Sequence, residues 1–302
     1  MTRWPSSREA GPVLKNVVGD TTTMPEYVRV QVQRVQRRLH DAEPLGLDDE
    51  GFVPRVTIGA RAPGRMPLLE EYQRPRVQFF LPEIECGCPR PKCPVCTTSE
   101  HTVVKGWMCR RVVDTKDTYF IVYHRWACSG CRAAQGRPET TYGPWTPSVY
   151  ADMQKEHSDI CDDLGVVFTA KNAVTEEVMD YITHHATSGL SFAKQAEYFK
   201  GLHHKHAHRR RKKYLRAVKK WRRRHSDDLE AEEWSQFEKS TLAFSDPAGY
   251  NGYTPGVEYF AVLYIKHVLL KSEAMRLRMQ MVDAQILAGD ACVGGLCCAL
   301  RV

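Results

Sequence analysis

The feature that most limits how this chain can fold is a repeated Cys-x-x-Cys unit: Cys93 and Cys96 in "KCPVCT", then Cys128 and Cys131 in "ACSGCR". Each unit turns the backbone so that two thiols face one side, and two units together supply four soft ligands for a tetrahedral metal. The 31 residues between Cys96 and Cys128 exceed the spacing of a compact finger. Within them, "HTVVKGWMCRRVV" and "DTYFIVYHRWAC" are β-branched and aromatic runs around a short polar turn, the pattern of an antiparallel hairpin.

A hairpin between two such turns predicts a zinc ribbon, with a structural Zn²⁺ held by Cys93, Cys96, Cys128 and Cys131. Metal–thiolate binding on the order of 10–16 kcal/mol is enough to hold a segment that lacks a core of its own. A closed set of four cysteines leaves no position for a catalytic water. Two other readings stand beside this one. Cys86 or Cys88 replaces one ligand, or the four are reduced core cysteines.

There are 11 cysteines in all. The opening "MTRWPSSREAGPVLKN" lacks the apolar stretch of a secretory signal, so an intracellular, soluble chain is expected and metal is favoured over disulfides. The longest apolar run, "YFAVLYIKHVLL", is interrupted by Lys266 and His267 and falls short of a bilayer span, so no membrane partner is expected. A hydrophobic share of 42% is ample for a core.

Charge is concentrated in one place. Residues 203–225 carry 12 of the 43 Lys and Arg and none of the 36 Asp and Glu, while the remainder is mildly acidic. From Arg209 to Arg224, Tyr214, Leu215, Val218 and Trp221 fall where a helix packs inward. Arg209, Arg210, Arg211, Lys212, Lys213, Arg216, Lys219, Lys220, Arg222, Arg223 and Arg224 take most other positions. A phosphate backbone relieves the self-repulsion of such a helix. These eleven residues are the candidate nucleic-acid contacts, with duplex DNA the expected partner and RNA the alternative. A localisation signal alone or a solvated helix face are the blander readings. The hairpin adds Lys105, Arg110, Arg111, His124 and Arg125 beside Trp107, Tyr119, Tyr123 and Trp126, a set that can contact nucleic acid but is also what half-buried strands commonly contain.

The pattern along the chain predicts an α+β protein in four parts. Residues 1–75 form a mostly disordered leader holding one short helix, with Val28, Val32, Val35 and Leu39 near helical spacing. Residues 76–147 form the small β zinc ribbon. Residues 148–240 are a mainly helical, helix-turn-helix-like region with Met179, Ile182, Leu190, Phe192, Ala196 and Phe199 inside. Its helices meet at Gly189, and a third runs from near His206 to about Trp234. Residues 241–302 hold a further helix and the sequence "MQMVDAQILAGD".

Taken in order, the four-cysteine ribbon with "KGW", the segment "EEVMDYITHHATSGLSFAKQAEYF", the basic helix and "MRLRMQMVDAQILAGD" resemble the N-terminal half of transposase-like proteins abundant in fungi. The resemblance implies a zinc-ribbon domain and a helix-turn-helix-like segment ahead of an RNase H-like catalytic core of the DDE type, in a nuclear protein. It makes Asp290 the candidate first catalytic carboxylate, with Mg²⁺ as cofactor only where such a core is complete. The family would continue with two further carboxylates. Here "ACVGGLCCALRV" follows, so the expectation is a truncated, catalytically incomplete protein that does not cut or join DNA. An active recombinase subunit and an RNA-binding or transcriptional ribbon protein are the alternatives. Oligomeric state is not legible in the sequence.

Overall fold

The structure, a computed structural model, describes residues 24–40, 66–82, 91–131, 140–156, 164–169, 172–224, 231–247 and 249–269, with 158, 161, 271, 272 and 276 as isolated positions. These residues form a mixed α/β fold around a six-stranded sheet.

The centre of the sheet is the predicted hairpin. Strands β2 (Thr102–Val113) and β3 (Thr118–Cys128) pair antiparallel along their whole length, with a bulge between Val104 and Gly106. The turn is closed by the Asp114 N–H donating to the Asp117 carbonyl at 2.9 Å, and the Asp114 carboxylate accepts from the Thr115 N–H at 2.7 Å. Strands β1 (Val77–Phe79) and β4 (Thr140–Tyr142) share the outer edge of β3, parallel and antiparallel respectively. On the other side, β6 (Ala173–Thr175) runs parallel to the end of β2, and β5 (Val166–Phe168) pairs antiparallel with β6.

Successive side chains of a strand point to opposite faces, and β3 is buried on both. Phe120 and Val122 face one cluster with Val77, Phe79 and Trp107, covered by Val28, Val32 and Val35. Tyr119, Ile121 and Tyr123 face a second cluster with Phe80, Val112, Leu164, Val166 and Ala173. Trp145 lies stacked between Phe80 and Phe168 on that second face.

Three expectations are refined here. The valines belong to helix α1 (Glu26–His40), the short helix expected within the leader, and it supplies one wall of the core. Burying each valine contributes about 1.5–3 kcal/mol, reason enough for the helix to dock. A second helix in that stretch, α2 (Leu69–Gln73), is also ordered. The small ribbon is therefore not a free-standing unit but the middle of a larger sheet. The region from residue 148, expected to be mainly helical, also holds two three-residue strands. Helix α3 (Pro147–Glu156) is followed by β5 and β6 before the helices resume.

Helix α4 (Glu176–Thr187) starts as the sequence suggests. The Thr175 hydroxyl accepts from the Val178 N–H at 3.4 Å, and Glu176 and Glu177 occupy the first turn. It ends at Gly189, whose φ of +84° is the left-handed cap conformation, with the Leu190 N–H reaching back to the His185 carbonyl at 2.9 Å. The next helix, α5 (Phe192–Arg222), is unbroken over 31 residues, where two separate helices are expected from sequence. No proline and only Gly201 interrupt it, so nothing in the stretch stops a helix. Helix α6 (Ala231–Ser240) packs against α2, and α7 spans 257–269.

The described residues fall into two compact units. One comprises those up to Val178 and from Glu197 to Thr254. The other comprises Met179–Ala196 with those from Pro255 onward, where Phe192 and Tyr264 lie 5.7 Å apart between ring centres. Among the described residues no helix is long and apolar enough to cross a membrane.

Candidate metal centre and basic helix

The four predicted cysteines converge. Their sulfurs all lie within 4.8 Å of one another, with Cys93–Cys131 and Cys96–Cys128 each 3.6 Å apart. A tetrahedron with metal–sulfur bonds of about 2.3 Å has edges of roughly 3.8 Å. The donor set and its dimensions therefore fit a metal ion. Cys86 and Cys88 lie outside the described residues.

Local structure explains the convergence. Around Cys93 the chain folds into a tight turn in which the Thr97 N–H donates to the Cys93 carbonyl at 2.8 Å and the Cys93 N–H to Thr98 at 2.9 Å. Thr97 takes a φ of 60°, a left-handed conformation that these two bonds hold in place. The Val95 N–H points at the Cys93 sulfur at 3.4 Å. Cys128 ends β3, and one helical turn carries Cys131 back beside it. Between them, a Cβ on Gly130 would stand 2.4 Å from the His101 ring, so the turn closes over that ring only with glycine.

The surroundings are apolar and tied down. Cys93, Cys128 and Cys131 are buried with Trp126, Tyr142 and Val149, while Cys96 is partly exposed. The Thr102 and Tyr142 hydroxyls sit 2.7 Å apart, and both reach the Pro91 carbonyl at 3.2 and 3.3 Å. The Cys96 thiol is pulled down to about 6 by hydrogen bonds from Thr98. Cys131 is pushed up to about 12, by burial first and then by the neighbouring sulfurs. Four thiols this close cannot all ionise unaided. A bound cation reverses that balance, because the thiolate is the ligand.

The basic run divides into three faces along α5 and the turn that continues it to Arg224. Lys205, Arg209, Lys212, Arg216, Lys219 and Arg223 follow one another at alternating spacings of four and three, and every one is exposed. The row spans roughly 27 Å at 1.5 Å per residue. Among the described residues none of the six forms an ion pair. Lys205 belongs to this row although the candidate set begins at Arg209; helical spacing finds it. Lys213, Lys220 and Arg224 are exposed on a flank, and Arg211 and Arg222 are partly covered.

Arg210 is different. It turns inward, donating through Nε to the Tyr72 carbonyl and through a terminal nitrogen to the Arg74 carbonyl at 2.9 Å. Its guanidinium also lies 3.5 Å from the buried carboxylate of Asp117. His206 approaches the same carboxylate at 3.6 Å, and the His203 ring bridges the carbonyls of Asp114 and Tyr253. The anchor thus joins the turn of the hairpin to the basic helix. None of these contacts was foreseen, although Arg210 shares its helical face with Tyr214. No metal cluster involving these histidines occurs among the described residues.

The hairpin aromatics Trp107, Tyr119, Tyr123 and Trp126 are buried, as is His124. Arg110 lies over the Tyr123 and Phe168 rings, and Arg111 over Phe120 and Tyr253. Of the two readings of these residues, half-buried strands describe them better. Asp290 lies outside the described residues.

No curated protein and no solved structure matches this chain. One family does, described as "Domain of unknown function (DUF6729)", over residues 64–269. That span holds the hairpin, all four metal-site cysteines and the whole of α5, and stops short of Asp290. With more than half its length matched, the chain belongs to the DUF6729 family.

Proposed function

We propose that this chain is a zinc-stabilised DNA-binding protein, in which the four cysteines hold a structural Zn²⁺ and α5 grips the phosphates of duplex DNA. The observation that carries the proposal is the exposed row from Lys205 to Arg223. Six like charges on one face, with no acid from 203 to 225, repel one another unless a polyanion lies along them. The row's length of roughly 27 Å matches about eight base pairs at 3.4 Å each.

The proposal includes the transposase-like relationship. A four-cysteine hairpin followed by α4 and α5 keeps the order of zinc ribbon and helix-turn-helix-like segment that the resemblance implies. A nuclear location follows from the partner. Asp290 is assigned no step.

Salt titration of the zinc-loaded full chain on duplex DNA tests this reading. Six phosphate contacts give a slope of log affinity on log salt of about −5. Absent binding, or binding indifferent to salt, contradicts it and leaves the basic run as a localisation signal.

A further inference from the structure

On the face of α5 opposite the exposed row, Tyr214, Val218 and Trp221 form one side of a groove of about 400 Å³, counting the space open to solvent. The other side is Trp234 and Phe237 of α6. These two rings stack on each other, 5.6 Å between centres and 25° between planes. Despite their size they remain 51% and 38% exposed. Two large aromatic side chains at i and i+3 of a short helix normally turn into a core. Here they form a preformed, solvent-facing platform.

Positive charge flanks the groove on its α5 side. Arg222 lines the groove itself. By helical spacing Arg211 lies on the same shoulder of α5, and Lys213, Lys220 and Arg224 lie on the opposite shoulder. Glu238 of α6 is exposed beside the rings, so the positive charge stands on the α5 side of the groove, where an apolar protein segment would have no use for it. A nucleotide needs both elements, a flat face for its base and positive charge for its phosphate.

We propose that this groove is a subsite for an unpaired nucleobase, stacked against Trp234 and Phe237 while the adjoining phosphates meet the shoulder cations. The proposal rests on the nucleic-acid reading of α5. It adds a preference for DNA or RNA carrying unpaired nucleotides beside a duplex, such as a tail, junction or flipped base.

The experiment compares the zinc-loaded full chain on a blunt hairpin duplex and on the same hairpin carrying a short single-stranded tail. Deoxy- and ribonucleotide tails separate the two sources. Stacking of one base raises affinity by roughly 5- to 150-fold. We expect a gain of that order with either tail. Trp234→Ala should abolish the gain and leave blunt-duplex affinity unchanged, and Trp234→Phe should restore it. Both rings are exposed, so an unchanged thermal melt verifies that the variants fold. Equal wild-type affinity for blunt and tailed probes overturns the proposal, and so does a tail preference that survives in Trp234→Ala and Phe237→Ala. Loss of blunt binding with a retained, Trp234-dependent preference for the tail refutes the duplex reading while upholding this one.

Discussion

The Arg210 guanidinium lies 3.5 Å from the buried carboxylate of Asp117, tying the middle of the basic helix to the turn of the central hairpin. Both partners are largely withdrawn from water, and Arg210 spends its other donors on the carbonyls of Tyr72 and Arg74. One residue away, Arg209 is exposed and part of the outer row. Adjacent arginines therefore do different work.

Arg210→Met should cost about 2–4 kcal/mol of folding stability, because Asp117 would stay buried with weaker compensation from Arg76 at 3.9 Å. Arg209→Ala should change stability by less than about 0.5 kcal/mol and weaken DNA binding instead. Urea unfolding of the two variants separates the roles. Equal destabilisation would refute the assignment of faces.

Helix α1 is a wall of the core, so Val32→Ala should cost about 2 kcal/mol. Removing residues 1–40 should destabilise the sheet visibly in a thermal melt. A truncated chain that melts like the full one would return α1 to the status of a leader.

The hairpin and the convergence of the four cysteines were legible because their signals are local: paired cysteines, and β-branched runs flanking a polar turn. The docking of α1 was not, since its valines pack on Val77, Phe79 and Phe120, far along the chain, and an amphipathic stripe does not name its partner. The strands Val166–Phe168 and Ala173–Thr175 are three residues each, too short for a period-two pattern; Ala173–Thr175 owes its place to pairing with β2, and Val166–Phe168 to pairing with Ala173–Thr175 and to Phe168 stacking on Trp145. In the sequence Arg210 is one cation among eleven, because composition hides direction. Helical spacing from Tyr214 already placed it inward.

Metal removal should act locally. Both faces of the sheet are held by apolar clusters away from the cysteines. Stripping the metal with a chelator should raise amide exchange at Thr102–Val104 and Ala127–Cys131 while Tyr119–Val122 stays protected. Uniform loss of protection would show that the metal is needed for the whole sheet.

Acid should weaken the anchor. Burial holds His206 below the ordinary imidazole value of 6.5, helped by Arg210 and His203 and opposed by Asp117. Because the folded state binds this proton less readily than the unfolded one, the stability tied to it is complete above about pH 6.5. It falls as pH drops below that point. His206→Gln should flatten part of the decline in urea midpoint between about pH 7 and pH 5.5. An identical pH profile would remove His206 from the explanation.

The most direct test of the central claim is the salt slope for duplex DNA in a chain whose outer row is neutralised. With Lys205, Arg209, Lys212, Arg216, Lys219 and Arg223 changed to Gln, the slope should collapse from about −5 toward zero, with metal content and melting temperature unchanged. A slope that stays as steep as in the unaltered chain would show that DNA is held elsewhere, and would contradict the account.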